Sequence, residues 1–253
     1  MLISITEKCR MGCTHCMDDA KPDCDKFMSE ETFKKALAFN LKYDKSVTIT
    51  GGEPTENPKF WEFMDIIADT LQYNQIASVT TNGMNLSDDD IPKIIQLREK
   101  CKGNILYQVS SIKPYYPIYI DLDQKIFRMP DFCIARKLEK LESRGRAAQH
   151  KNWIFNVKAP QCFNIRSTVR SLQSLNRAIA MLRAGGKFCT PQIAYDGSLK
   201  VGESTLCPAV AHIDDTEKEI VQKISSYTCN CKDCQEMLQK LPLQYRQAIG
   251  EEG

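Results

Sequence analysis

Three cysteines within the first sixteen residues, Cys9, Cys13 and Cys16, constrain this chain more than any other feature. They follow Leu2-Ile3-Ser4-Ile5-Thr6, which reads as a short β-strand. The C-x3-C-x2-C spacing places three thiolates on one loop leaving that strand. A structural zinc site wants four protein ligands, usually arriving as C-x2-C pairs, and ferredoxin runs supply a fourth cysteine. A triplet that stops at three fits a cubane iron-sulfur cluster with one iron left open to something other than protein. Zinc binding, or three small thiols packed into a core, are the competing readings.

A second motif narrows the choice. Ser46-Val47-Thr48-Ile49-Thr50 is a β-branched run that reads as a strand, and Gly51-Gly52-Glu53-Pro54 follows it directly. Two glycines allow close backbone approach, the glutamate offers an acceptor and the proline fixes the exit. With these two motifs in this order, the sequence resembles the radical S-adenosylmethionine (SAM) superfamily. The resemblance implies that Cys9, Cys13 and Cys16 hold a [4Fe-4S] cluster whose open iron is chelated by SAM. One-electron reduction then yields a 5′-deoxyadenosyl radical that takes hydrogen from a substrate. It also implies that Gly51, Gly52 and Glu53 hold the methionyl end of SAM. Thr81, Asn82 and Ser110 or Ser111 are further candidates for ribose and carboxylate contacts. His15 stands where the family usually has an aromatic residue packed near the adenine.

Composition excludes several other classes. The chain has 253 residues, 42% hydrophobic, which is enough for one large or two modest domains. Lys+Arg 34 against Asp+Glu 32 gives a formal charge of +2, which argues against general nucleic-acid or membrane electrostatics. No run of about 18 apolar residues reads as a membrane span, and the N-terminus lacks the charged-then-apolar pattern of an export signal. The expected location is the cytoplasm, where twelve cysteines are metal ligands or free thiols rather than disulfides. Cys24, Cys101, Cys133 and Cys162 read as core or incidental thiols.

The order of elements predicts an α/β fold. Ser29, with Glu30 and Glu31 behind it, caps a helix to about Tyr43. Pro58 opens a helix with Phe60, Phe63, Met64, Ile67 and Leu71 on one face, and Ile76–Thr80 is a third strand ending in Thr81-Asn82-Gly83. Ser87 caps a helix beginning Asp88-Asp89-Asp90, and Ile105–Ile112 is a fourth strand. Such alternation means parallel pairing with right-handed crossovers. Each motif then falls at a strand's carboxyl end, where α/β folds gather their sites. Beyond it, Lys113-Pro114-Tyr115-Tyr116-Pro117 is an irregular aromatic loop. Arg136–Ser143 and a segment from Ser167 to Gly185-Gly186 read as helices, and Trp153–Val157 as a strand. Gly145-Arg146-Ala147 is similar to a segment found late in the barrel of family members with auxiliary clusters. The whole reads as a partial (β/α)6-type radical SAM barrel over residues 1–185.

Residues 186–253 read as a small cysteine-rich hairpin/helix extension. Ile193–Tyr195 and Leu199–Val201 flank Asp196-Gly197, a hairpin turn. Cys189-x12-Gly202-x4-Cys207 resembles the opening of the SPASM and Twitch extensions, which hold auxiliary iron-sulfur clusters. Cys231 and Cys234 complete a four-ligand set, and Cys229 is close enough to substitute. The later cysteines of a full SPASM domain are absent, so one auxiliary [4Fe-4S] cluster, as in the shorter Twitch form, is the expectation. A structural zinc knuckle is the alternative.

The function these features imply is oxidative modification of a ribosomal peptide or protein, or alternatively of a small metabolite or nucleoside. An external one-electron donor of flavodoxin or ferredoxin type is implied. Peptide maturases often carry a leader-binding domain before the barrel. None fits before Leu2, so a peptide substrate would call for a separate leader-recognition protein. A non-enzymatic iron-sulfur or zinc-binding adaptor would account for the cysteines but not for GGEP.

Overall fold

The computed structural model describes residues 1–110, 116–135, 146, 174, 176, 191–200 and 208–227. Eight strands form one sheet in the order β5-β4-β3-β2-β1-β6-β7-β8. They are β1 (Leu2–Ser4), β2 (Ser46–Thr50), β3 (Ile76–Thr81), β4 (Asn104–Ser110), β5 (Phe132–Ala135), β6 (Gln192–Ile193), β7 (Ser198–Lys200) and β8 (Ala209–His212). From β5 across to β6 every pair is parallel, and β6-β7-β8 are antiparallel. This open, mostly parallel α/β sheet is consistent with the expected partial barrel.

Strand alternation explains which face is buried. Ile3, Ile49, Val79, Tyr107 and Ile193 occupy paired positions and are almost fully buried. Helices α1 (Glu30–Tyr43), α2 (Phe60–Thr70) and α3 (Ile91–Lys100) contribute to the same core. The Ser29 side chain accepts from Thr32 N–H, capping α1 as expected. Phe33 of α1 stacks on Phe63 of α2 at 4.2 Å between ring centroids. The other face carries Thr48, Thr50, Ser78, Thr80, Gln108 and Ser110, all partly or fully exposed. That face is open and mostly polar, with Leu106 and Ile76 also exposed on it.

Several boundaries differ from the sequence reading, for local reasons. β1 stops at Ser4 because Thr6 turns to bridge Phe27 across the loop. The α2 helix begins at Phe60, not Pro58, because Pro54–Glu56 first form a 3-10 turn and Asn57 Oδ1 accepts from Lys59 N–H. Ser87 and Asp90 form a capping box, but on a 3-10 turn over Asp88–Asp90 that precedes α3. β3 runs one residue further, pairing Thr81 with Val109. β5 was not anticipated: its four residues pair in parallel with β4, and Phe132 stacks on Tyr107 at 4.8 Å.

The expected hairpin is present as β6 and β7, with Gly197 at φ 88. β6 pairs with β1, so the hairpin extends the barrel's own sheet. β8 and helix α4 (Glu217–Ser226), capped by Thr216 and Glu219, continue it. Cys101 packs against the core, whereas Cys133 is exposed on the edge strand. The helix expected at 136–143, all but residues 174 and 176 of the helix expected from 167, the strand expected at 153–157, Cys162, and the expected boundary at 185/186 lie outside the described residues. Among the described residues, no helix is long and apolar enough to cross a membrane.

Candidate functional site

The loop between β1 and α1 is tied at its base and carries the cysteines beyond it. Thr6 bridges Phe27 and Lys8 bridges Lys21. Cys9 N–H donates to Lys21 O at 3.0 Å, and Thr6 Oγ1 to Lys26 O at 2.9 Å. Inside this frame Cys13 is buried, while Cys9 and Cys16 are half-buried against the core. Burial, above all, pushes the Cys9 thiol up to about 11, against a hydrogen bond from Met11 N–H. Burial and then the Cys9 and Cys16 thiols push Cys13 up to about 12. One buried and two half-buried neighbouring thiols disfavour one another's negative charge, and a cationic centre between them would favour their thiolate forms.

Among the described residues, no three His, Cys, Asp or Glu side chains converge closely enough to hold one metal ion. Cys13 feels the charge of both Cys9 and Cys16, so the three thiols neighbour one another, and in a cubane each thiolate binds a different iron; this is a donor set of the kind such a cluster takes.

The segment after β2 is laced onto the start of the cysteine loop. Gly52 N–H donates to Thr6 O at 2.8 Å, and Glu53 N–H to Lys8 O at 2.7 Å. A Cβ at Gly51 would collide with Thr6 O, and one at Gly52 with Lys8 O. The two glycines are therefore required by contact between two backbones.

The Glu53 side chain is almost fully buried, 1% exposed. Its Oε1 accepts from Thr55 N–H (3.2 Å), Thr55 Oγ1 (2.6 Å) and Thr81 Oγ1 (2.5 Å), and its Oε2 from Asn82 N–H (2.7 Å). Burial raises its pKa despite these four donors. Glu53 thus joins the end of β2 to the turn after β3. In that turn, Asn82 Oδ1 accepts from Met84 N–H at 2.8 Å, and Asn82 Nδ2 lies 3.7 Å from Cys9 Sγ.

Two straps escaped the sequence reading. Glu56 holds Arg10 through the backbone N–H (2.8 Å) and Nε (3.2 Å), while Arg10 Nη2 donates to Asn85 Oδ1 at 2.8 Å. Arg146 reaches the far side of the loop. Its Nε donates to Cys13 O, and its Nη1 to Asp19 Oδ1 and Ala20 O, each at 2.9 Å. The Gly145-Arg146-Ala147 segment had marked this position by resemblance only.

His15 is buried and its ring lies 5.4 Å from that of Tyr116, tilted by 60°. Tyr116 in turn meets Ser110 at the end of β4, and burial raises its phenol pKa. Tyr116, from the aromatic segment after β4, therefore reaches the cysteine loop. The structure brings Cys9, Cys13, Cys16, His15, Gly51, Gly52, Glu53, Thr81, Asn82 and Ser110 to one end of the sheet. Ser111, Cys189, Cys207, Cys229, Cys231 and Cys234 lie outside the described residues.

Residues 3–105 match the Radical SAM superfamily. GTP 3′,8-cyclase of Haemophilus influenzae (strain 86-028NP) is 35% identical over 91 residues, 34% of this chain and 27% of that protein. GTP 3′,8-cyclase of Yersinia pestis is 35% identical over 118 residues, 44% of this chain and 34% of that protein. Molybdenum cofactor biosynthesis protein 1 of Homo sapiens is 34% identical over 91 residues, 34% and 14% of the two chains. The matched stretch is about a third or less of these relatives' own length.

Among solved structures, BtrN in complex with AdoMet and 2-DOIA is similar over 98% of this chain and 88% of that one, with TM-score 0.56 and 11% identity. Native anSMEcpe with bound AdoMet and Cp18Cys peptide is similar over 97% and 84%, with TM-score 0.51 and 14% identity. At such identities these two likenesses bear on the fold.

Proposed function

Residues 3–105 carry a radical SAM domain, and from that premise we propose that this chain is an enzyme that cleaves SAM reductively and abstracts hydrogen from a small polar substrate. The observation that carries the reading is the lacing of GGEP and the Thr81-Asn82-Gly83 turn onto the three-cysteine loop at one sheet end. When bound, a [4Fe-4S] cluster supplies one electron to the SAM sulfonium, releasing a 5′-deoxyadenosyl radical that removes hydrogen from the substrate.

Cys9, Cys13 and Cys16 would hold the cluster through three irons. Gly51 and Gly52 would present backbone to the methionyl end of SAM, with Glu53 fixing that segment from behind. Its carboxylate already serves Thr55, Thr81 and Asn82. His15 and Tyr116 form an aromatic corner suited to the adenine, and Ser110 stands at a strand end suited to a ribose or carboxylate contact, whereas the buried Thr81 hydroxyl is already held by Glu53 and Gly83. The part-buried Arg146 contacts and the buried Glu53 contacts would keep the loop in place while charge changes nearby. An external flavodoxin- or ferredoxin-type donor would supply the electron. A Twitch-like auxiliary cluster on Cys189, Cys207, Cys231 and Cys234, with Cys229 in reserve, would accept an electron from the substrate radical and make the reaction a net oxidation.

The open sheet face, with Thr48, Thr50, Ser78, Thr80 and Gln108 beside a single central leucine, Leu106, supports a mainly polar molecule over an apolar side chain. The GTP 3′,8-cyclases matched over this region also have a small-molecule name. Modification of a ribosomal peptide is the second reading, carried by the Cys189-x12-Gly202-x4-Cys207 spacing. The test feeds reduced enzyme and SAM with extract from cells grown in heavy water, separated by mass. Deuterated 5′-deoxyadenosine from the low-mass fraction supports the small-molecule reading, and from the peptide fraction the second reading. No 5′-deoxyadenosine with any fraction, or with SAM alone, would refute both.

A further inference from the structure

Asn82 is held from three sides so that its amide N–H group points at a cysteine sulfur. Its backbone N–H donates to Glu53 Oε2 at 2.7 Å, fixing the residue to a buried carboxylate. Its Oδ1 accepts from Met84 N–H at 2.8 Å. That bond settles which end of the amide faces which way, because a backbone N–H requires an acceptor and only the oxygen is one. The nitrogen is left facing Cys9, with Nδ2 3.7 Å from Sγ. The side chain is 8% exposed, so water competes little for the bond. Next along the chain, Gly83 N–H donates to Thr81 Oγ1 at 2.9 Å, and Thr81 Oγ1 donates to Glu53 Oε1. The whole turn is thus pinned to one carboxylate. Among the described residues no other acceptor takes the amide nitrogen, and the turn is complete through Oδ1 and the backbone.

We propose that Asn82 sets the reduction potential of the cluster by donating a side-chain hydrogen bond to Cys9 Sγ. The inference rests on the cluster reading given above. A sulfur bound to iron carries more negative charge when the cluster is reduced, so a donor aimed at it favours the reduced state and raises the potential. Asn82 is a side-chain donor, so unlike the backbone it can be changed by substitution. Glu53 is then a positioning residue for this bond: it acts on Cys9 through Asn82 and not by its own contact.

The test compares wild type, Asn82→Ala and Asn82→Asp after anaerobic reconstitution, by iron and sulfide analysis and by redox titration followed by EPR. Asn82→Asp keeps an acceptor for Met84 N–H and replaces the donor with an acceptor, so it separates the sulfur bond from the turn. With four iron and four sulfide bound at the triplet, each variant should show a ratio of reduced to oxidised cluster lowered roughly tenfold at fixed potential, which is ~59 mV downward for one electron. Asn82→Asp should shift further than Asn82→Ala. An independent readout needs no variant. Wild type labelled with nitrogen-15 only at asparagine side-chain amides should show a nitrogen-15 coupling to the reduced cluster in pulsed EPR. Unchanged potentials in variants that hold the full cluster, or no such coupling in wild type, overturn the proposal and leave the cluster reading standing. Wild type that assembles no iron-sulfur cluster at the triplet overturns both.

Discussion

Replacing Glu53 with alanine would remove one acceptor from four donors at once. Two of these are threonine hydroxyls, which can rotate towards other acceptors. The other two, Thr55 N–H and Asn82 N–H, are fixed by the backbone. A buried N–H left without a partner costs about 1–3 kcal/mol, so two cost about 4 kcal/mol in sum. Against this stands relief from burying a carboxylate, since burial is the largest cause of the raised Glu53 pKa. The expected net loss is about 3 kcal/mol, or a melting temperature lower by roughly 6–12 °C for a chain of this size. Glu53→Gln keeps the volume but has one acceptor oxygen, so its NH2 must face either Asn82 N–H or the Thr55 and Thr81 donors. About 1–2 kcal/mol is expected for it. The assay is anaerobic thermal unfolding by circular dichroism, with exposed Glu62→Ala as control. If Glu53→Ala melts with the control, the carboxylate does not hold the two strand ends together, and a direct ligand role for Glu53 regains the ground.

Arg146→Ala should loosen the Cys13–Ala20 segment by removing three hydrogen bonds, and iron retained after a chelator challenge should fall several-fold, with Arg146→Lys intermediate because it lacks the planar fork. Equal retention in all three proteins would remove Arg146 from the account. Gly197→Ala should cost about 2 kcal/mol, since φ is left-handed and the new Cβ would sit 2.7 Å from His212 Nε2; an unchanged melting temperature would show that the β6–β7 turn tolerates another conformation. For the tail, a Cys9→Ala/Cys13→Ala/Cys16→Ala protein should still bind close to four iron and four sulfide, against about eight of each in wild type, whereas zinc without sulfide would mean a structural knuckle.

The parts of this fold that could be read from sequence are those specified locally. β2 and β3 are β-branched runs with turn residues after them, and α1 announces itself by Ser29, Glu30 and Glu31. β5 could not be read in this way. Phe132–Ala135 has too few residues to show a period and becomes a strand by pairing with β4 and stacking Phe132 on Tyr107. The site divides along the same line. The cysteine spacing and GGEP are legible because each is a single short stretch. The work of Glu53 was not, because two of its donors come from Thr81 at the end of another strand and Asn82 in the turn after it. Arg146 acts on Cys13 across 133 residues, a contact that no local pattern encodes. The glycines of GGEP were legible as sites of close approach, but the chain they approach is Thr6–Lys8, which only the parallel pairing of β1 and β2 brings there.

The central claim is that the three-cysteine loop holds a cluster that cleaves SAM. The most direct measurement is the amount of 5′-deoxyadenosine and methionine formed from SAM by anaerobically reconstituted, chemically reduced protein, compared with the Cys9→Ala/Cys13→Ala/Cys16→Ala variant under identical conditions. Wild type should form both products in equal amounts, and the variant should form neither above the enzyme-free background. Undiminished cleavage by the variant, or none by wild type carrying a complete cluster, would contradict the account.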